Sequence, residues 1–122
     1  MPIIDVRPVV SASHELPEGA AQILADSISR ELNAQTGRVW VRLIEIPKGK
    51  YAENGEVLED KELPVFVQVL HADWPDEGVR VQEAEAIAAA VAASLGRQVE
   101  RVHIEYAPPG RGRVAFGGKL VV

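Results

Sequence analysis

Hydrophobic and polar positions in the first half of the chain follow a strand, a helix and a second strand. Residues 2–10 are rich in β-branched side chains and are predicted to form a strand. Pro8 indicates that this strand lies at a sheet edge or ends there, because proline cannot donate to a ladder. Pro17 suits the first turn of the helix, and residues 38–46 form the next strand, which Pro47 ends. The helix carries an apolar stripe at four-residue spacing: Ala20, Leu24, Ile28 and Leu32.

The second half of the chain repeats this pattern after a polar loop. Residues 47–62 contain glycine and asparagine and are predicted to change direction more than once. Residues 64–71 form a near-continuous apolar run, which is typical of a strand covered on at least one face. Residues 101–106 form a fourth strand. The helix between these two strands ends at Gly96 and carries the apolar stripe Val81, Ala84, Ile87, Ala88, Val91 and Leu95.

The two halves share the order strand, helix, strand, hairpin, which indicates an internal duplication of a β-α-β unit. We therefore predict one domain, residues 1–122, with pseudo-repeats at about 2–62 and 63–122. The second hairpin, within residues 108–122, turns at its paired glycines, since glycine tolerates positive φ. Two positions support the duplication: Pro64 repeats Pro2 at a spacing of 62 residues, and Arg101-Val102 repeats Arg38-Val39.

The predicted fold class is α/β (α+β), with two tandem β-α-β units, a four-stranded sheet, two helices on one face, and short hairpin strands. Strands joined by a crossover helix are normally parallel and right-handed. The sheet face without helices is expected to be too apolar for water, and burial against other copies of the chain would cover it. That expectation rests on four residues: Val41, Leu43, Val65 and Val67.

Composition and charge exclude several classes of function. A chain of 122 residues with net charge −5 and no basic stripe is a poor binder of nucleic acid. No cysteine is present, so disulfides, thiolate zinc sites and a cysteine nucleophile are ruled out. No apolar run approaches the ~18 residues of a membrane helix. A soluble cytoplasmic protein without membrane or nucleic-acid partners is expected.

The candidate chemistry lies at the start of the chain. No phosphate loop, metal-ligand spacing or catalytic-triad order is present in the sequence. Initiator methionine is commonly cleaved before a small residue, which would leave Pro2 with a free secondary amine. An α-amino group titrates near ~8, and an apolar pocket or nearby cations would lower that pKa. The free amine can then act as a general base and acid, or attack a carbonyl group.

Three segments extend this hypothesis to a family. The strand that Pro2 opens, Ile28-Ser29-Arg30, and residues 47–51 (Pro-Lys-Gly-Lys-Tyr) together resemble the tautomerase superfamily, specifically 4-oxalocrotonate tautomerase. The resemblance runs without a gap from Pro2 to Gly55, and Phe116-Gly117-Gly118 resembles the terminal hairpin of the family. The doubled length is similar to that of macrophage migration inhibitory factor. The resemblance implies a duplicated β-α-β fold, a homotrimer, an amino-terminal proline as catalytic base, and no metal or cofactor.

The resemblance also implies roles for individual residues. Pro2 corresponds to the base, and Tyr51 to a hairpin aromatic that lines an apolar pocket. Trp40 stands where 4-oxalocrotonate tautomerase has a substrate-binding arginine, and His103 is its counterpart in the second repeat. Phe116 stands where the dehalogenase branch has its water-activating glutamate, which disfavours hydratase or dehalogenase chemistry. The second family arginine is also replaced, at Ala12 and Trp74, so a dicarboxylate substrate is doubtful.

The predicted function is enol–keto conversion of a small α-keto or enol acid such as phenylpyruvate. In this prediction, Pro2 moves the proton and one cation holds the carboxylate. The pocket is lined by four side chains: Trp40, Tyr51, His103 and Phe116. Arg42 is the first candidate for this cation, because it lies two residues beyond Trp40 on the same strand face; Arg7, Arg111 and Arg113 are the others. Two alternatives stay open: a β-keto acid decarboxylase that uses the same amine, and a non-catalytic trimeric binding or scaffold protein.

Overall fold

The computed structural model describes residues 2–122, so Met1, whose removal the catalytic hypothesis requires, lies outside the described residues. The described chain contains two α-helices and seven strands. They follow one another in the order β1 (Ile3–Val10), α1 (Ala20–Glu31), β2 (Trp40–Leu43), β3 (Ile46–Pro47), β4 (Val65–Leu70), α2 (Glu77–Leu95), β5 (Val102–Tyr106), β6 (Ala115–Phe116) and β7 (Lys119–Leu120). Short 3₁₀ turns at Lys48–Lys50 and Asp60–Glu62 redirect the polar loop, as its composition predicts.

The main sheet has the strand order β2-β1-β4-β5, and β3 pairs with β1 beyond the end of β2. Each crossover joins a parallel pair, β1 with β2 and β4 with β5, while β1 and β4 are antiparallel. The core lies between the sheet and the helices, which also contact each other. The predicted fold class is confirmed. Fully buried residues on both sides of this layer include Ile4, Val6, Leu24, Ile28, Val69, Ile87 and Val91.

Pro8 is tolerated inside a central strand, which the sequence did not predict. It lies opposite Val65 of β4, and the next residue, Val9, donates its N–H to Pro64 O at 3.0 Å. Successive N–H groups point to opposite sides of a strand, so the ring nitrogen of Pro8 faces the other side, where β2 and β3 pair with β1. The pairing there is interrupted between Leu43 and Ile46. No backbone N–H donor is required at that gap, so Pro8 interrupts no hydrogen bond of the sheet.

Helix α1 begins three residues after Pro17, which corrects the predicted start. Pro17 lies in the preceding turn and accepts the N–H of Ala20 at 3.2 Å. Gly19, at the helix N-cap, has φ +72°, a left-handed conformation that glycine adopts without steric cost. Helix α2 ends at Gly96 as predicted, since this residue is also left-handed, with φ +65°.

The sheet face without helices is polar in its middle row, contrary to the sequence prediction. Val65 and Val67 are buried beneath the helices, and Val41 and Leu43 pack against the same core. Side chains alternate along a strand, so the neighbours of these residues occupy the uncovered face. One row across four strands there consists of Arg42, Asp5, Gln68 and Glu105. None of the four residues on which the expectation rested therefore lies on the uncovered face.

The strand registers correct the proposed match between the two halves by one residue. Ile3 lies opposite Trp40, and Phe66 lies opposite His103, the predicted counterpart of Trp40, so structurally equivalent positions are 63 residues apart. The burial of the side chains agrees with this spacing, because Ile3 and Phe66 are both half-buried on the uncovered face. The counterpart of Pro2 is Val65, not Pro64. A shift of one residue matters because it moves a side chain to the opposite sheet face.

Candidate functional site

Pro2 is buried just before β1 and directly precedes a residue that lines a small apolar cavity. Its carbonyl oxygen accepts the N–H of Trp40 at 3.2 Å, which fixes the first residues of β1 against β2. The adjacent residue, Ile3, lines a cavity of about 160 Å³. The other lining residues come from the end of β4 and from the C-terminal segment: Leu70, Ala72, Gly110, Val114, Phe116 and Val121. Among residues 2–122, no charged side chain contributes to this lining.

Hydrogen bonds hold the C-terminal segment beside the end of β4, and this positions the side of the cavity that the segment forms. Gly110 donates its N–H to His71 O at 2.8 Å, and Arg111 donates its main-chain N–H to Ala72 O at 3.0 Å. Arg111 also forms an ion pair with Asp73 through its guanidinium group. A Cβ at position 110 would lie 3.0 Å from a Val114 methyl group, so the close approach favours glycine here.

The β6–β7 hairpin brings an aromatic side chain to β2. Gly117 and Gly118 form its two-residue turn with φ +58° and +82°, as a type I′ turn requires. The Phe116 ring meets the Trp40 ring edge to face, with 5.5 Å between centroids. The Trp40 indole also donates to Gly37 O at 3.0 Å. Two predicted pocket residues, Trp40 and Phe116, are thus in contact close to Pro2.

Tyr51 and His103 lie in a second aromatic group at the other end of β1. Each ring has its centroid 5.5 Å from that of Phe66 between them. Phe66 is opposite Arg7, five residues along β1 from Pro2, which is about 16 Å at ~3.3 Å per residue. Within one chain, Tyr51 and His103 are therefore separate from the cavity beside Pro2.

Tyr51 is held in place by its hydrogen bond to Glu53, at 2.5 Å. Burial and this hydrogen bond raise the pKa of Tyr51. The same bond, together with an ion pair to Arg101 at 2.7 Å, lowers the pKa of Glu53. The phenol is therefore neutral over the physiological range and is oriented by a carboxylate.

Arg42 is already bound within the chain. Its guanidinium group donates to both carboxylate oxygens of Asp5, at 2.6 and 3.1 Å, and this bond raises the pKa of Arg42. Arg7 approaches the same carboxylate at 3.2 Å. Asp5 is only 6% exposed, and the two arginines supply its charge partners. The cations on the uncovered face are thus committed to a structural carboxylate.

Lys119 is a residue that the sequence prediction missed. It lies opposite Phe116 across the β6–β7 turn, is exposed, and makes no ion pair with any of residues 2–122. The signal was present in the sequence, because the residues that flank a two-glycine turn form a cross-strand pair. Arg113, by contrast, donates to Pro108 O and Pro109 O at 2.7 and 3.0 Å.

A second polar cluster lies on the helix side of the sheet. Glu83 of α2 accepts hydrogen bonds from Tyr106, at 2.7 Å, and pairs with His71 at 2.8 Å. Burial opposes ionisation of Glu83, but these two bonds outweigh it and lower its pKa. Burial, followed by the bond to Glu83, raises the pKa of Tyr106. This cluster joins α2 to the ends of β4 and β5.

Among residues 2–122, no group of three or more His, Asp or Glu side chains is arranged to hold a metal ion. Neither α1 nor α2 is both long and apolar enough to cross a lipid bilayer.

Several solved structures share this fold. Q0 fused 4-OT, a symmetric trimer, is 18% identical, with a TM-score of 0.76 over 98% of this chain and 94% of its own. Pt0534 inactivated by 2-oxo-3-pentynoate is 16% identical, with a TM-score of 0.72 over 98% and 94%. Macrophage migration inhibitory factor from Oncomelania hupensis is 19% identical, with a TM-score of 0.73 over 99% and 82%. The sequence matches no protein-family model and no curated protein.

These likenesses confirm the fold that the resemblance implies, including the doubled length. At 16–19% identity, what they share with this chain is the fold.

Proposed function

We propose that the protein is a cofactor-independent tautomerase that interconverts the enol and keto forms of a small α-keto acid. The observation that carries the proposal is the burial of Pro2 next in the chain to Ile3, which lines an apolar cavity of about 160 Å³. An apolar protein cavity of ~150 Å³ can hold benzene. The cavity therefore suits the ring of an aryl keto acid such as phenylpyruvate.

In this mechanism, the Pro2 nitrogen acts first as a base and then as an acid. After removal of Met1, the ring nitrogen is a secondary amine, and apolar surroundings favour its uncharged form. It accepts the enol O–H proton as the O–H electrons form the C=O bond, and it then returns a proton to the carbon next to the keto carbon, where the C=C electrons form the new C–H bond. The C=C bond becomes C–C, the C–O bond becomes C=O, and the net composition is unchanged.

The remaining candidate residues take supporting roles in the proposal. Trp40 and Phe116 cover the mouth of the cavity and limit access of water. Tyr51 and His103 reach a Pro2 site only from another copy of the chain, which favours a homotrimer with sites between subunits. The fused 4-OT with this fold is a symmetric trimer, which supports that assembly.

The test is phenylpyruvate tautomerisation by wild type and Pro2→Ala, preceded by measurement of the intact mass. We expect loss of Met1, and a turnover at least ~10²-fold lower in the variant, a typical contribution of general acid–base catalysis. Pro17→Ala, at an exposed loop proline, is the matched control and is expected to match wild type. Equal turnover in Pro2→Ala and wild type would refute the assignment of the base.

A covalent probe tests the same nitrogen without turnover. Pt0534, which shares this fold, is inactivated by 2-oxo-3-pentynoate. We expect this reagent to add once per chain, on the N-terminal peptide, and not to label a chain that retains Met1. Labelling at a lysine instead would argue against a nucleophilic amine at Pro2.

A non-catalytic binding protein is the second candidate. Its support is that all four predicted carboxylate-binding arginines bind groups within the chain: Arg7, Arg42, Arg111 and Arg113. Retention of Met1 in the mature protein would favour this candidate, because an amide nitrogen at Pro2 is not a base. The β-keto acid decarboxylase remains an alternative for the same amine, and carbon dioxide release from malonate semialdehyde would identify it.

A further inference from the structure

The cavity beside Pro2 can take the apolar part of an acid but offers no charge for its carboxylate. The described lining residues are all apolar or glycine. A carboxylate held near apolar walls requires a charged hydrogen-bond donor. We propose that Lys119 binds the carboxylate of the keto acid at the mouth of this cavity. This inference rests on the proposed function and names the specificity residue of the same site.

The hairpin geometry places Lys119 beside the cavity. Phe116, which lines the cavity, is the cross-strand partner of Lys119. Side chains of such a pair project from the same side of the hairpin, with Cβ atoms about 5 Å apart. The Phe116 ring contacts Trp40, whose main-chain N–H binds Pro2 O. The lysine is thus linked to Pro2 through three successive contacts.

Most other cations near the cavity are bound within the chain. Arg42 donates to Asp5 through two nitrogens, and Arg111 to Asp73 through two. Arg113 binds two main-chain oxygens at the base of the hairpin. Lys119 has no carboxylate partner among residues 2–122, so a substrate does not have to compete with one.

Arg38 is the alternative cation. It is exposed, precedes Trp40 by two residues, and likewise makes no ion pair with the described residues. It differs from Lys119 because it belongs to the loop before β2, whereas Lys119 is paired with a cavity-lining residue. The hairpin position favours Lys119, and Arg38 becomes the comparison in the test.

The hairpin is preorganised for this role. Gly112 N–H donates to Val121 O at 2.7 Å, and Val121 N–H donates to Val114 O at 2.9 Å, so both sides of its base are joined. The two-residue turn leaves few alternative registers at the tip. Holding the lysine backbone in one position lowers the entropy that ligand binding must overcome.

The experiment measures binding of phenylpyruvate and of its methyl ester by calorimetry, with wild type, Lys119→Ala, Lys119→Arg, Arg38→Ala and Lys61→Ala. Lys61 is an exposed lysine of the polar loop and serves as the matched control. We expect the Kd of the acid to rise about tenfold in Lys119→Ala, the lower range for a hydrogen bond to a charged group. The Kd of the ester should change less than about twofold, and Lys119→Arg should restore acid binding within about threefold.

The outcomes separate this inference from the proposed function. Selective loss of acid binding in Lys119→Ala supports the inference even if wild type shows no proton transfer, in which case only the proposed function fails. Equal weakening of acid and ester would show that the variant disturbs the hairpin, and would overturn the inference. So would an unchanged Kd of the acid in Lys119→Ala, a larger loss in Arg38→Ala, or an absence of acid binding by wild type.

Discussion

Arg97 offers a quantitative test of what joins the two β-α-β units. It follows α2, is only 9% exposed, and its guanidinium group donates to Leu63 O at 3.0 Å and Val9 O at 2.9 Å. The first oxygen lies just before β4 and the second near the end of β1. Burial lowers the pKa of this guanidinium group, but it stays charged at neutral pH because its ordinary pKa is above 12.

The change we consider is Arg97→Met, which keeps most of the aliphatic stem and removes both donors. Each main-chain oxygen left without a partner costs about 1–3 kcal/mol. Relief of the buried charge offsets part of this cost. We therefore expect a net loss of about 3 kcal/mol, a large share of the 5–15 kcal/mol that is typical of a domain. For a chain of this size, the loss corresponds to about 10 °C in Tm.

Urea unfolding monitored by tryptophan fluorescence measures the change, and Arg30→Ala, at an exposed position of α1, is the control. Surface substitutions of that kind stay within about ±0.5 kcal/mol. Arg97→Ala should be less stable than Arg97→Met, since it also leaves a cavity. If Arg97→Met is as stable as the Arg30 control, the two hydrogen bonds do not stabilise the junction, and our reasoning is wrong.

Three further predictions concern titration and the hairpin. Because folding lowers the pKa of Glu83, its ionisation stabilises the protein above its unfolded pKa of ~4.3, and this stability is lost as the pH falls through the folded pKa. Glu83→Gln should therefore reduce the pH dependence of urea resistance between about pH 5 and 3. An unchanged pH dependence in this variant would contradict the prediction. Both tyrosines have pKa values raised above 10, so ultraviolet titration should show less than half of the tyrosine ionised at pH 10. Glu53→Gln should lower the pKa of Tyr51 toward 10 while leaving that of Tyr106 unchanged. Gly118→Ala forces a left-handed alanine and should cost about 1 kcal/mol and weaken acid binding, whereas Gly49→Ala, at a glycine without positive φ, should not.

The periodic elements of the fold were predictable, because the helix stripes and apolar runs are strong local signals. The stripe from Ala20 to Leu32 and the one that ends before Gly96 correspond to α1 and α2. The face of each strand was less predictable. In short apolar runs such as residues 64–71, nearly every position is hydrophobic, so the alternation that would identify the buried face is absent.

The candidate site was predicted in part. The sequence placed Trp40 and Phe116 in one pocket, and their rings are in contact. It could not show that Arg42 pairs with Asp5, because the two residues are 37 positions apart and meet only through the sheet register. Tyr51 and His103 were grouped with Pro2 by resemblance to an assembled family, whereas a single chain separates them.

The one-residue offset between the halves has a consequence for dividing this chain. Cleavage between Leu63 and Pro64 would expose a new proline terminus, yet that ring would stand one position before the place that Pro2 occupies. Cleavage after Pro64 would instead put Val65 there, with a primary amine on an acyclic residue. Neither cleavage would place a secondary amine at the position equivalent to Pro2, so the second unit cannot supply a second proline base by cleavage.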